Sequence, residues 1–121
     1  MHRIFEGRVL IVDDTDSIRD LLADFFSSNG YEVAMARNGD EALKKLKGKH
    51  FSILVTGLNM PVMSGIELIK EVRSLSIPLR IIGMSTSEKE QTFLKAGADY
   101  FLSKPFDFPY LKSILDSAFR Q

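Results

Sequence analysis

The stretch FSILVTGLNMPVMSG, Phe51 to Gly65, decides the fold. It opens on Ile53-Leu54-Val55, an apolar run too short for a helix and suited to a strand covered on both faces. Gly57, Asn59, Pro61 and Gly65 then arrive in quick succession, which is loop chemistry. Beyond Gly65 the period changes, with Ile66, Ile69 and Val72 recurring at helical spacing. Strand, long loop, helix is the order this gives. In open α/β sheets, ligands and chemistry sit in the loops at the carboxyl ends of strands, so one wall of any site lies here. From Thr56 to Gly65 that loop carries no acidic residue.

The same alternation extends in both directions. Val9 to Val12 is a buried-strand pattern that stops at Asp13-Asp14. Ile18, Leu21, Leu22, Phe25 and Phe26 mark a helix with Asp14 or Thr15 as its cap, ended by Asn29-Gly30. Tyr31 to Ala36 reads as a strand, Asn38-Gly39 as a turn, and Ala42, Leu43 and Leu46 as a second helix closing near Gly48. After the helix from about Gly65 to Leu75, Ile77-Pro78 breaks the chain and Leu79 to Met84 forms a fourth strand. Ser85-Thr86-Ser87 caps a helix around Glu88 to Ala96, and Tyr100 to Leu102 is a fifth strand. Asp107 caps a last helix that tolerates Pro109 in its first turn and buries Leu111, Ile114, Leu115 and Ala118. Strands alternating with helices predict a parallel sheet with helices on both faces; of the doubly wound orders, the five-stranded flavodoxin-like one fits this length best.

A chain of 121 residues is expected to form one domain, 1–121, with a core that needs no metal or disulfide. It ends directly after a helical pattern, which leaves open that it is a piece of a longer protein. Lys plus Arg and Asp plus Glu total 16 each, so net charge gives no reason to expect a nucleic acid or an acidic membrane as partner. The lack of cysteine excludes thiolate metal sites and disulfides. Neither a signal peptide nor an apolar run approaching a membrane span is present, and a cytoplasmic location is expected.

Few residues suggest chemistry. Asp13 and Asp14, at a strand's carboxyl end, suit Mg²⁺, which takes one or two carboxylates and keeps several waters; a helix cap with a solvated neighbour is the bland counterpart. Lys104, after the fifth strand, can neutralise an anion at the sheet's edge or simply be solvated. Ser85 can donate to the same anion or start the next helix. Lys44, Lys45, Lys47, Lys49 and His50 form a basic cluster that reads as a solvated helix face, since nucleic acid needs a wider footprint. His2 and His50 have no partner at ligand spacing. No Gly-rich phosphate loop follows the first strand, and no nucleophile elbow is present.

Taken together, VLIVDD (9–14), NMPVMSG (59–65) and AGADYFLSKPF (96–106) resemble a response-regulator receiver domain of the CheY-like superfamily, a likeness covering Val9 to about Phe119. It implies the flavodoxin-like sheet in order 2-1-3-4-5. It also implies a phospho-accepting aspartate two residues before the Asn of Asn-Met-Pro, and Gly57 stands there. The rest of the implied site is present: Asp13, Asp14 and the Asn59 backbone carbonyl for Mg²⁺, Lys104 for the phosphoryl oxygens, Ser85 as the sensing hydroxyl and Phe101 as the switch aromatic. Thr86 occupies a position where the family usually has a smaller residue, and the segment from Ser85 to Gly97 is shorter than the pattern, so a trimmed fourth helix is expected. Glycine offers no nucleophile and removes one metal oxygen, so Mg²⁺ should bind more weakly. Thr56 alternates to the other face of its strand, and Ser64 would need a base.

The expectation is a non-enzymatic receiver of two-component phosphorelay signalling, a monomer or weak homodimer. It would meet a histidine kinase, an output domain or another effector through the fourth helix, fifth strand and fifth helix. Phe101, Phe108, Pro109 and Tyr110 would supply the contact area there. The alternative is a conventional phospho-accepting regulator whose acceptor aspartate has been replaced by Gly57. A flavodoxin-like small-molecule binder ranks third, because Asp13-Asp14 repel phosphate unless a metal intervenes.

Overall fold

The structure is a computed structural model and describes residues 7–119, with side chains to 117; the predicted burial of Ala118 and the N-terminal His2 lie outside the described side chains. Five strands, β1 (Gly7–Val12), β2 (Tyr31–Ala36), β3 (Ile53–Thr56), β4 (Arg80–Ser85) and β5 (Tyr100–Ser103), form one sheet in the order β2-β1-β3-β4-β5. Every neighbouring pair is parallel. The five α-helices are α1 (Asp16–Ser28), α2 (Gly39–Gly48), α3 (Gly65–Ser74), α4 (Glu90–Ala96) and α5 (Phe108–Ile114). This is the flavodoxin-like architecture.

Strand alternation sorts the core into two layers. Leu10, Val12, Leu54, Ile81 and Phe101 face α2, α3 and α4, meeting Leu46, Ile69 and Phe93. Val9, Ile11, Val55, Ile82 and Leu102 face α1 and α5, meeting Leu22, Phe26 and Leu111. β1, β3 and β4 are sheathed on both sides, which is why they read as unbroken apolar runs.

Local signals explain most helix starts. Ser64 caps α3 in a capping box: its side chain accepts from Glu67 N while the Glu67 carboxylate accepts from Ser64 N at 3.0 Å. The Ser64 backbone N–H, and then its hydroxyl, hold the Glu67 carboxyl below its usual value. Asp107 caps α5 by accepting from Tyr110 N at 3.0 Å, as predicted. Asn38 is the N-cap of α2, with its side chain accepting from Glu41 N, and Gly39 is already helical; the predicted Asn38-Gly39 turn is therefore a helix start. Thr15 caps α1 without a side-chain bond. Leu21, one of the apolar residues whose spacing marks this helix, is 46% exposed, because α1 turns Arg19, Leu22 and Phe26 inward. α4 is short, seven residues, and is preceded by a 3-10 turn over Ser87–Lys89 where a continuous helix was predicted. α5 likewise widens into a π-helical turn over Leu115–Phe119.

Arg73 ties the far end of the sheet together. It donates through Nε to Gly97 O at 3.0 Å, through Nη1 to Leu79 O at 3.0 Å and through Nη2 to Asp99 Oδ2 at 2.9 Å. One planar fork thus joins α3, the start of β4 and the α4–β5 turn.

Candidate functional site

At the carboxyl edge of the sheet a cavity of about 240 Å³ is lined by Asp13, Asp14, Thr15, Leu58, Asn59, Met84, Ser85 and Lys104. The fold therefore gathers the predicted site residues from the ends of β1, β3, β4 and β5.

β1 ends in the Asp pair, and the two carboxylates differ. Asp13 is buried, and its Oδ1 accepts from Thr15 N at 2.9 Å; Asp14 is exposed. The Asp13 backbone is pinned from both sides, donating to Ala36 O at 3.2 Å and accepting from Arg19 Nη1 at 2.6 Å. Arg19 also pairs with Asp16. Sequence reasoning missed Arg19, although the signal was available: it is a cation in helical register with Leu22 and Phe26, on a face that had to be buried.

Gly57 follows β3 directly, is buried, and donates to Val12 O at 2.9 Å. A β-carbon built there would stand 2.4 Å from Asp13 Oδ2. The Asp13 carboxylate therefore occupies the space into which a side chain at 57 would project. Thr56, fully buried, donates its hydroxyl to Gly57 O at 2.9 Å.

The loop beyond is folded tightly on itself. Gly65 N donates to Leu58 O at 2.9 Å, and a β-carbon at Gly65 would lie 1.8 Å from Gly57 O, so only glycine fits. Met63 N donates to Pro61 O at 2.8 Å across Val62, a γ-turn with Val62 at φ 74° and 82% exposed. Met63 itself covers Gly39 at the start of α2.

Ser85 ends β4, and its carbonyl accepts from Lys104 N at 2.9 Å, which holds serine and lysine on adjacent strand ends. No carboxylate pairs with the Lys104 ammonium within 4.0 Å among the described residues. The donor set of Asp13, Asp14 and the Asn59 carbonyl is all oxygen and suits a hard divalent cation. Among the described residues, no group of three or more His, Cys, Asp or Glu side chains is gathered to hold a metal. In the same residues no helix is long and apolar enough to cross a membrane.

The expected contact aromatics do not share one face. Phe101 is 7% exposed and packs in the α4 layer with its ring 5.6 Å from Phe93, so it gives a partner little area. Phe108 is half-buried, 5.2 Å from Phe25 of α1 and 6.1 Å from Phe106. Pro109 and Tyr110 are exposed at the start of α5.

A parallel sheet in this order, with an Asp pair, a serine and a lysine at its carboxyl edge, defines a class of signalling domain. The chain belongs to the response regulator receiver domain family, whose model matches residues 9–116. It is 41% identical over 103 residues to the chemotaxis protein CheY of Thermotoga maritima, covering 82% of this chain and 86% of that protein. It is also 37% identical over 110 residues to the sensor histidine kinase RcsC of Escherichia coli, covering 88% of this chain but only 12% of the kinase. Among solved structures, the chemotaxis response regulator CheY4 of Vibrio cholerae superposes with a TM-score of 0.83 at 37% identity, covering 91% of this chain and 96% of that one. A putative response regulator from Chloroflexus aurantiacus gives 0.88 at 28% identity, covering 95% and 98%.

Proposed function

We propose that this receiver domain works through protein contact and takes no phosphoryl group at position 57. The observation that carries the reading is Gly57 itself: at the carboxyl end of β3, beside Asp13, there is no side chain to attack phosphorus. Phosphoryl transfer here would need an in-line carboxylate oxygen, with positive charge stabilising the transferring group. Lys104 supplies such charge, and Asp13, Asp14 and the Asn59 carbonyl would hold Mg²⁺, which adds more when bound. The nucleophile is what is missing, and Mg²⁺ binding should be weakened with it. The domain is thus assigned no turnover. Its partners are a histidine kinase or an output domain, met through the exposed Pro109 and Tyr110 and the half-buried Phe108.

The second reading, a conventional regulator whose acceptor aspartate has been replaced, is favoured by the intact remainder of the pocket, Lys104 beside Ser85 above all. Amide NMR with beryllofluoride, a phosphoryl stand-in, tests both readings. In the unaltered chain, adding it to the Mg²⁺ form should leave Ser85, Phe101 and Lys104 unmoved; shifts there refute the proposal. In Gly57→Asp, shifts at those three residues support the replaced-acceptor reading, and their absence supports a domain that has diverged beyond one substitution.

A further inference from the structure

At the end of the sheet opposite the Asp pair lies a groove of about 430 Å³, between the C-terminus of α2 and the chain joining α3 to β4. Its floor is apolar: buried Phe51, with Leu46, Ile77 and Pro78, and Leu75 left 43% exposed. Its rim carries two cations, Lys47 and Lys49, beside the His50 imidazole, and no carboxylate lines it. Neither lysine has a carboxylate within 4.0 Å among the described residues.

The surroundings extend the same charge. Arg8 donates to His50 O at 2.7 Å and lies 5.8 Å over the Phe51 ring. Across Pro78 the groove adjoins a second cavity bearing Arg73 and Arg80. The carboxylates paired at this end are Glu32, with Arg8, and Asp99, shared by Arg73 and Arg80. Two helices, α2 and α3, also end here, each bringing roughly half a negative charge. Lys47 lies in the last turn of α2 and offsets one of these, but Lys49 stands beyond that helix. The positive surplus therefore survives. It is a local surplus, since the whole chain carries 16 charges of each sign.

We propose that this groove docks a polypeptide segment that is both acidic and apolar, its Leu or Phe side chains on the accessible Leu75, Ile77 and Pro78 above the buried Phe51, and its carboxylates on the lysine rim. Charge complementarity selects the occupant: an apolar partner alone would leave the rim unused, and a nucleic acid would leave the aliphatic floor in water, having no continuous cation track to follow. The inference does not depend on the reading of Gly57, because the groove is at the other end of the molecule.

The test uses the unaltered chain and a fluorescein-labelled amphipathic peptide with Leu and Phe at helical spacing and Glu elsewhere. Anisotropy should report binding, and amide shifts should fall in 46–51 and 75–79. Lys47→Glu with Lys49→Glu should weaken it at least about tenfold, as should Leu75→Ser; all three positions are exposed, so each variant should keep a folded amide spectrum, with the melt of the double Glu variant lowered by only a few degrees from the reversed charge at the end of α2. Four results would overturn the proposal: no binding, equal binding of the same peptide with Lys in place of Glu, equal binding of a single-stranded oligonucleotide, or shifts elsewhere on the molecule. Concentration-dependent self-association abolished by the same variants would overturn it too, by making a second copy the occupant.

Discussion

Position 57 couples directly to Asp13. With a β-carbon at 57 falling 2.4 Å from Asp13 Oδ2, any side chain there must push that carboxylate aside. The obstacle is the far end of one side chain, and the cavity beyond it has room. Gly57→Ala should therefore fold and stay within about 1 kcal/mol of the unaltered chain in urea denaturation, the gain from a stiffer unfolded chain offsetting the rearrangement. Its amide spectrum should move at Asp13 and Thr15, whose 2.9 Å hydrogen bond uses the same carboxylate. An unperturbed Asp13 would show that the two positions do not meet. Residue types at this scale were legible from sequence only where chemistry named them. The Asp pair, Ser85 and Lys104 could be named as candidates from residue type and position, each a weak signal alone, and the fold lines one cavity with them. That Gly65 is required by its approach to a carbonyl, and not by a turn, was not readable, because the crowding atom belongs to Gly57, eight positions earlier.

Among the elements, β4 and α4 depart furthest from what periodicity shows. α4 is seven residues long, yet it contributes a fully buried ring, Phe93, to the sheet. The ring fits because Gly83 of β4 lies beneath it: a β-carbon there would stand 2.2 Å from Phe93 Cδ1. Phe93 in turn packs against Phe101, whose inward position leaves it buried. Gly83→Ala should cost about 1–3 kcal/mol by overpacking, and Phe93→Ala roughly 3–5 kcal/mol by cavity formation. In combination they should cost less than their sum, since removing the ring removes the clash; strict additivity in the double-mutant cycle would mean the two residues are not in contact. The sequence reading placed both elements and foresaw a short fourth helix. It treated Gly83 as one more residue of an apolar strand, because the small-against-large match needs two segments seen together. The helix starts divide the same way: Asp107 was legible as a cap, while Asn38-Gly39 was mistaken for a turn because Asn-Gly serves both purposes.

Over the whole molecule, the parallel sheet separates two ends. The carboxyl edge carries Asp13, Asp14, Ser85 and Lys104, and the opposite edge carries the lysine-rimmed groove and the Arg73 fork. Alternating strand and helix patterns sufficed for a doubly wound sheet; the strand order came from family resemblance, since periodicity says nothing of which strands pair. The grouping of Lys47, Lys49 and His50 with Phe51 and Leu75 was not legible, because the lysines sit on one helix end and the leucine on another. At the first edge the proposed function rests on Gly57: candidate cation holders and an ammonium surround it, and it brings no side-chain oxygen to form a covalent bond. Intact-protein mass spectrometry of the unaltered chain after incubation with Mg²⁺ and acetyl phosphate tests it most directly. One unshifted mass is expected; a hydroxylamine-labile species heavier by one phosphoryl group, mapped to any carboxylate of the Asp13–Asp14 edge, would overturn the proposed function.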